Sequence, residues 1–229
     1  MMSTEKFTPP YALKTAVLFL VFNRLDTTKK VFEAIRQAKP PRLYIAADGA
    51  RLDKEGEVKK VQIVRDYIIQ NIDWECEVQT LFREENLGCK YAVSGAITWF
   101  FENEEQGIIL EDDCIPSVSF FEFAQSNLEK FSDDPTVGMI SGTNFFGSNI
   151  CSNQVLKCRS FSVWGWATWK RVWNLYNTEI DCSDRGGALV LPKDLSVGYS
   201  YYYRKMFRDF QNLKIDTWDT QLVYLMFKK

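Results

Sequence analysis

The sequence predicts an α/β protein built on a Rossmann-like, mostly parallel sheet flanked by helices. Three observations predict it. Short continuous apolar runs alternate with longer segments of helical periodicity through about residue 141. Those runs are apolar at successive positions, as in strands buried on both faces, and do not alternate. Several runs also end in polar clusters, which is where open α/β sheets hold their ligands.

The elements follow in order. Ala16 to Phe22 is a buried strand. Asp26 or Thr27 can then cap a helix with Val31, Phe32 and Ile35 on its apolar face, and Pro40-Pro41 stops it. Leu43 to Ala47 is the second strand and closes on Asp48-Gly49. Glu57 to Ile69 is a helix with Val58, Val61, Val64 and Ile68 at helical spacing. Cys76 to Phe82 alternates as a third strand. Gly88 to Phe101 is a helix bearing Ala92, Ala96, Trp99 and Phe100. Gly107 to Leu110 is a fourth strand, Phe120 to Phe131 a helix and Val137 to Ser141 a fifth strand. Beyond this the rhythm breaks into Gly-, Asn-, Ser- and Trp-rich sequence that reads as loops with a few helices. We expect one domain over residues 1–229, with about 12–142 as its first half and about 143–229 as its second.

Composition excludes several classes of function. A net charge of −2 argues against nucleic-acid binding, which needs a basic surface. The chain has no histidine, so His–metal sites and Ser–His or Cys–His nucleophiles are out; acid–base work falls to carboxylates, Tyr, Lys or Cys. The six cysteines, Cys76, Cys89, Cys114, Cys151, Cys158 and Cys182, form no C-x-x-C pair, which counts against zinc and fits free thiols in a reducing compartment. Met1 to Tyr11 is polar and unlike a signal peptide, and no apolar run reaches spanning length. The expectation is a cytoplasmic protein, with association at a membrane surface left open.

The most informative run is Gly107-Ile108-Ile109-Leu110-Glu111-Asp112-Asp113. A strand ends in three adjacent carboxylates whose mutual repulsion a plain fold does not ask for. A solvated acidic turn would explain them; so would Mg²⁺ or Mn²⁺, hard ions that share oxygen ligands with a diphosphate. Asn23-Arg24 closes the first strand, and Arg presents a planar fork that suits phosphate, although a surface ion pair is as natural a reading. Asp48-Gly49 is either a tight turn or an acceptor for a base or ribose. Asn86-Leu87-Gly88 opens a helix whose backbone N–H groups favour an anion, with Lys90 just inside it. Trp166, Trp169 and Trp173 recur at helical spacing, which suggests core, whereas Trp164-Gly165 before them suits a wall against a sugar ring. Thr217 can cap a last helix, in which case Asp219 serves the helix dipole.

Together these pieces resemble the GT-A-type glycosyltransferases, in particular the N-acetylglucosaminyltransferase I-like family and its bacterial glycosyltransferase-2-like relatives. Phe22-Asn23-Arg24, Asp48-Gly49, Asn86-Leu87-Gly88, Glu111-Asp112-Asp113, Trp164-Gly165-Trp166 and Trp218-Asp219 occur in the family's order and cover most of the chain. The resemblance implies that Phe22, Asn23 and Arg24 border the nucleotide, with Arg24 on the diphosphate. Asp48 would bind uracil or ribose, and Asn86, Gly88 and Lys90 would flank the nucleotide. Asp113, the last acid of this DXD-like triplet, would ligate Mn²⁺ or Mg²⁺. Glu111 and Asp112 would hold metal-bound water, ribose or donor sugar. Trp164 and Trp166 would shape the pocket, and Asp219 would deprotonate the acceptor. The implied activity is inverting, metal-dependent transfer from a nucleotide-diphosphate sugar, a UDP-sugar foremost, to a glycan hydroxyl in cell-surface polysaccharide synthesis. The family continues past the point matching Lys229, so the resemblance also implies a C-terminally truncated chain. Two alternatives remain. A sugar-1-phosphate nucleotidylyltransferase shares such a half, but it needs a Gly-rich loop where Asn23-Arg24-Leu25-Asp26 stands. A non-catalytic glycan-binding protein could keep the fold alone.

Overall fold

The structure, a computed structural model, describes residues 12–143, 155–159, 161–180, 189, 191–193, 195–212 and 214–228. Met1 to Tyr11, Cys151, Ser160, Cys182 and Lys229 lie outside the described residues. Cys76, Cys89 and Cys114 are free thiols.

The chain forms β1 (Ala16–Val21), α1 (Leu25–Ala38), β2 (Arg42–Ala47), α2 (Glu57–Asn71), β3 (Glu77–Phe82), α3 (Gly88–Asn103) and β4 (Gln106–Glu111). Then come α4 (Val118–Lys130), β5 (Ile140–Ser141), β6 (Trp166–Trp169), α5 (Lys170–Trp173), α6 (Val197–Gln211) and α7 (Asp219–Lys228). The six strands lie in the order β3-β2-β1-β4-β6-β5. β1 pairs parallel with both β2 and β4, and β2 with β3. β6 is antiparallel to β4 and to β5. The sheet is therefore mostly parallel with one reversed strand near an edge, and helices cover both faces.

Successive residues of a strand face opposite sides, so one apolar run feeds two cores. Val17, Phe19 and Val21 of β1 join Phe32 and Ile35 of α1, Val64 and Ile68 of α2, and Phe121 and Leu128 of α4. Leu18 and Leu20 join Ala96, Ile97 and Phe100 of α3, Trp166 of β6, and Trp218 and Leu222 at α7. A third cluster ties α6 to α7 through Phe207, Phe210, Tyr224 and Phe227.

Four expectations change. Helix α1 starts at Leu25 with Arg24 at its N-cap and no side-chain cap, so neither Asp26 nor Thr27 caps it. Val58 is exposed, because it lies a quarter-turn off the Val61–Val64–Ile68 face in the first turn of α2. The fifth strand shortens to Ile140–Ser141 and pairs with β6. Trp166 and Trp169 do not share a helix: Trp166–Trp169 is a strand buried at every position, and only Lys170–Trp173 is helical. Burial on both faces erased the alternation that marks a strand, and the Trp spacing then imitated a helix.

Candidate active site

In a sheet of this order, the chain runs outward from β1 through β2 to β3 on one side and then crosses back to β4 on the other. The gap between the carboxyl ends of β1 and β4 is thus the topological switch point. Phe22-Asn23-Arg24 leaves β1 on one side of it and Glu111-Asp112-Asp113 leaves β4 on the other.

The two sides are bonded together. Asp112, 3% exposed, accepts from the Phe22 backbone N–H at 3.3 Å and from Arg24 Nη2. Arg24 Nη1 donates to Asp113 Oδ2 at 3.0 Å. Arg24 and Asp113 are about half exposed, at 52% and 45% of their side chains, so this pair borders open space while Asp112 does not. Burial pushes the Asp112 carboxyl up and Arg24 pulls it back. Asp112 thus fastens the loop after β1 to the loop after β4; Asp113 is the exposed acid, and Glu111 lies partly buried at the strand end. The Glu111 carboxyl is pushed up to about 7, by burial first and then by Asp113, Asp112 and Asp219.

Asp48 closes β2, and its carboxylate is spent on the start of α3. It accepts from Leu87 N at 3.0 Å, Gly88 N at 3.1 Å and Asn86 Nδ2 at 3.0 Å. The N–H groups expected to attract a ligand anion hold this anion instead. Gly88 has φ +77°, and a Cβ there would meet Asp216 Oδ2 at 3.1 Å, so Asp216 packs directly over the helix start. Gly49 sits so close to the backbone of Glu84 and Glu85 that any side chain would collide with it. Lys90 turns away from the switch point: its buried Nζ pairs with Glu179 Oε1 at 2.6 Å and lies 5.0 Å from the Phe210 ring centre.

Asp219 opens α7 and accepts from the Thr217 hydroxyl. It belongs to the same acidic surround: the Cys89 thiol is pushed up to about 11, by burial and then by Glu111, Asp216, Asp219 and Asp48. Loops after β2 and β4, the start of α3 and the start of α7 thus converge on one edge of the sheet. Among the described residues no group of three or more Cys, Asp or Glu side chains is placed to hold a metal ion by itself.

Next to Asp113 lies an open groove of about 500 Å³ lined by Cys114, Pro116, Ser117, Phe120, Gly142, Trp164 and Gly165. Trp164 is 63% exposed on its rim. Trp166 is different: it is fully buried and stacks on Trp218 at 5.7 Å with 20° between the rings. It supports the residue before Asp219 and does not form a pocket wall, contrary to expectation.

Sequence reasoning missed three residues. Glu57, 4% exposed, accepts from Asn23 Nδ2 at 2.9 Å and from the Arg51 backbone N–H at 2.8 Å, and it pairs with the Arg51 guanidinium. Asn23 therefore serves this internal tie, and Arg51 in turn lies 5.6 Å from the Phe22 ring centre. Glu57 falls on the same helical face as Val61, Val64 and Ile68, and that position was the available signal. Arg65 donates to Asp48 O at 3.0 Å and Arg83 O at 2.6 Å, bracing the ends of β2 and β3. Nothing in its spacing marks it.

No family model and no curated protein matches the chain. Among solved structures it is similar to the mannosyltransferase PcManGT from Pyrobaculum calidifontis, in complex with GDP-Man and Mn²⁺. The identity is 17% over 86% of this chain and 53% of that one, with a TM-score of 0.43. It is also similar to HddC from Yersinia pseudotuberculosis, at 13% identity over 73% of this chain and 83% of that one, with a TM-score of 0.42. This chain thus spans about half the length of the mannosyltransferase. So distant a likeness assigns no ligand here.

Proposed function

We propose that the chain is a metal-dependent, inverting glycosyltransferase that uses a nucleotide-diphosphate sugar, a UDP-sugar foremost, and transfers the sugar to a glycan hydroxyl. The observation that carries this reading is the convergence at the switch point: Glu111, Asp113 and Asp219 share one edge with the half-exposed guanidinium of Arg24. Such an edge gathers acids, and burial with those same acids pushes the neighbouring Cys89 and Cys114 thiols up, toward their protonated, poorly ligating form, which leaves carboxylate oxygens as the donors. That donor set fits Mg²⁺ or Mn²⁺, which bind through one or two carboxylates when phosphate oxygens complete the shell. A cage of three protein acids is not needed.

In this reading Asp113 and Glu111 would hold the ion, which when bound offsets the charge gathering on the leaving diphosphate. Arg24 offers its planar fork to the phosphates. Asp112 acts indirectly, by fixing Arg24 and the Phe22 backbone. Asp48, Asn86 and Gly88 likewise form a rigid floor for the nucleoside, held by Arg65 from behind. Lys90 stabilises the α3–α6 contact. The exposed face of Trp164 lines the sugar side of the groove. As the acceptor oxygen bonds to the anomeric carbon and the bond to the diphosphate oxygen breaks, Asp219 takes the hydroxyl proton. Attack from the face opposite the leaving group inverts the centre.

The competing nucleotidylyltransferase chemistry needs a phosphate loop between the first strand and first helix. Here α1 begins at Leu25, and the short link is occupied by the Asp112 tie. One assay separates the two. The chain is incubated with UDP- and GDP-sugars and Mn²⁺, and separately with nucleoside triphosphates and sugar 1-phosphates. Nucleoside diphosphate release that Asp219→Asn abolishes fits the proposal. Pyrophosphate formation in the second mixture would replace it.

A further inference from the structure

Helix α6 has an outer face unlike that of an ordinary solvated helix. At about 100° per residue, Phe207 and Phe210 mark its buried side; Tyr201, Lys205, Arg208 and Asp209 fall on the opposite side, with Val197 and Tyr202 at its borders and Arg204 on its flank. Val197 is 88% exposed, Tyr201 71% and Tyr202 58%. An outward face of a water-facing helix normally mixes acids with bases; this one is basic and aromatic. Its one acid, Asp209, is engaged by two cations, Lys205 at 2.7 Å and Lys214 at 3.4 Å, so the face stays net basic. Arg204 and Arg208 make no ion pair among the described residues. This patch belongs to a chain of net charge −2, so it is a local reversal of sign and not the overflow of a basic protein.

We infer that α6 lies on an anionic lipid surface. Tyrosines favour the headgroup level of a bilayer, where an amphipathic ring keeps its hydroxyl wet. Arginines and lysines beside them match the negative charge of acidic lipids, and a basic amphipathic helix is the usual device for resting on such a surface. No helix among the described residues is long and apolar enough to cross a membrane, so the contact is with the surface. The far end of α6 packs Phe210 against Lys90, two residues into α3 from Gly88. A membrane under α6 would meet the helix on the side opposite this contact. The inference does not depend on which transfer reaction the chain performs.

Flotation of the full chain with vesicles tests it. Vesicles of phosphatidylcholine with a third phosphatidylglycerol should carry the protein, pure phosphatidylcholine should carry far less, and raised salt should release it. The combined variant R204Q/K205Q/R208Q should bind the anionic vesicles at least about tenfold more weakly, because each cation near such a surface contributes about a factor of five. The variant Y201S/Y202S should also bind more weakly while keeping the salt dependence. Both variants alter exposed positions, so their circular dichroism and melting should match those of the parent. Failure of the parent chain to float with anionic vesicles would overturn the inference. So would equal flotation of the charge variant, or binding of the parent to a soluble acidic polysaccharide with none to vesicles.

Discussion

Arg24 holds two consecutive carboxylates at once, donating to Asp113 at 3.0 Å on its exposed side and to buried Asp112 on the other. One guanidinium thereby joins the ends of two neighbouring strands and occupies the outward acid of the switch point. In Arg24→Ala, Asp112 loses its one ion pair among the described residues while remaining inside. We expect a loss of about 1–3 kcal/mol in urea unfolding, below the full cost of breaking a buried pair because Arg24 is 52% exposed. Adding Asp112→Asn should recover part of the loss, since a neutral amide can stay buried at lower cost. A double variant no more stable than Arg24→Ala would show that Asp112 does not carry the penalty.

Acid stability should report on Glu57. The hydrogen bonds from Arg51 and Asn23 hold its carboxyl down at about 2. A depressed carboxyl adds stability above its unfolded value near 4.3, and that stability is lost as pH falls from there toward 2. Unfolding followed between pH 5 and 2 should therefore show a steeper loss for the parent than for Glu57→Gln. Parallel curves would remove Glu57 from the acid limb.

Asp48 is an internal anion for α3, so its deletion should act first on the fold. Asp48→Ala leaves the Leu87 and Gly88 N–H groups without an acceptor, and about 1–2 kcal/mol should go, as for other lost caps. Asp48→Asn keeps one acceptor oxygen and should fall in between. Nucleotide affinity, measured separately, should drop in Asp48→Ala through the displaced α3 start. Unchanged melting would mean the cap is made by water instead.

Asp219 should separate chemistry from binding. Asp219→Asn keeps an acceptor for the Thr217 hydroxyl, so α7 should stay in place and the donor nucleotide should bind as before. Transfer should fall by about a hundredfold or more, the range for a missing general base. By contrast, Trp166→Ala removes the ring stacked on Trp218 and should cost about 3–5 kcal/mol in stability. Full transfer by Asp219→Asn would take Asp219 out of the mechanism.

The sequence made the scaffold legible wherever a physical rule acts locally. Apolar runs such as Ala16–Val21 and Gly107–Leu110 read as buried strands because they are short and rich in Val, Ile and Phe, and Lys39 at φ 50° ends α1 where Pro40 forbids more helix. Reading failed at Trp166–Trp169, where burial at every position removes the alternation and the 3- and 4-residue Trp spacing imitates a helix. Most candidate residues could be placed at the carboxyl edge of the sheet for a related reason: strand ends are fixed by the same runs. Their partners were not legible. That Asp48 fills the start of α3, or that Lys90 turns to Glu179, depends on pairings across 40 and 89 positions of sequence, which no local pattern encodes.

The central claim is a metal-dependent nucleotide-diphosphate site at the switch point, and calorimetric titration tests it most directly. UDP and GDP are titrated into the parent chain and into Asp113→Ala, each with and without Mn²⁺. The account predicts micromolar binding of one nucleotide to the parent only when Mn²⁺ is present, and loss of that binding in a folded Asp113→Ala. Binding of neither nucleotide to the parent, or equal Mn²⁺-dependent binding to both proteins, would contradict it.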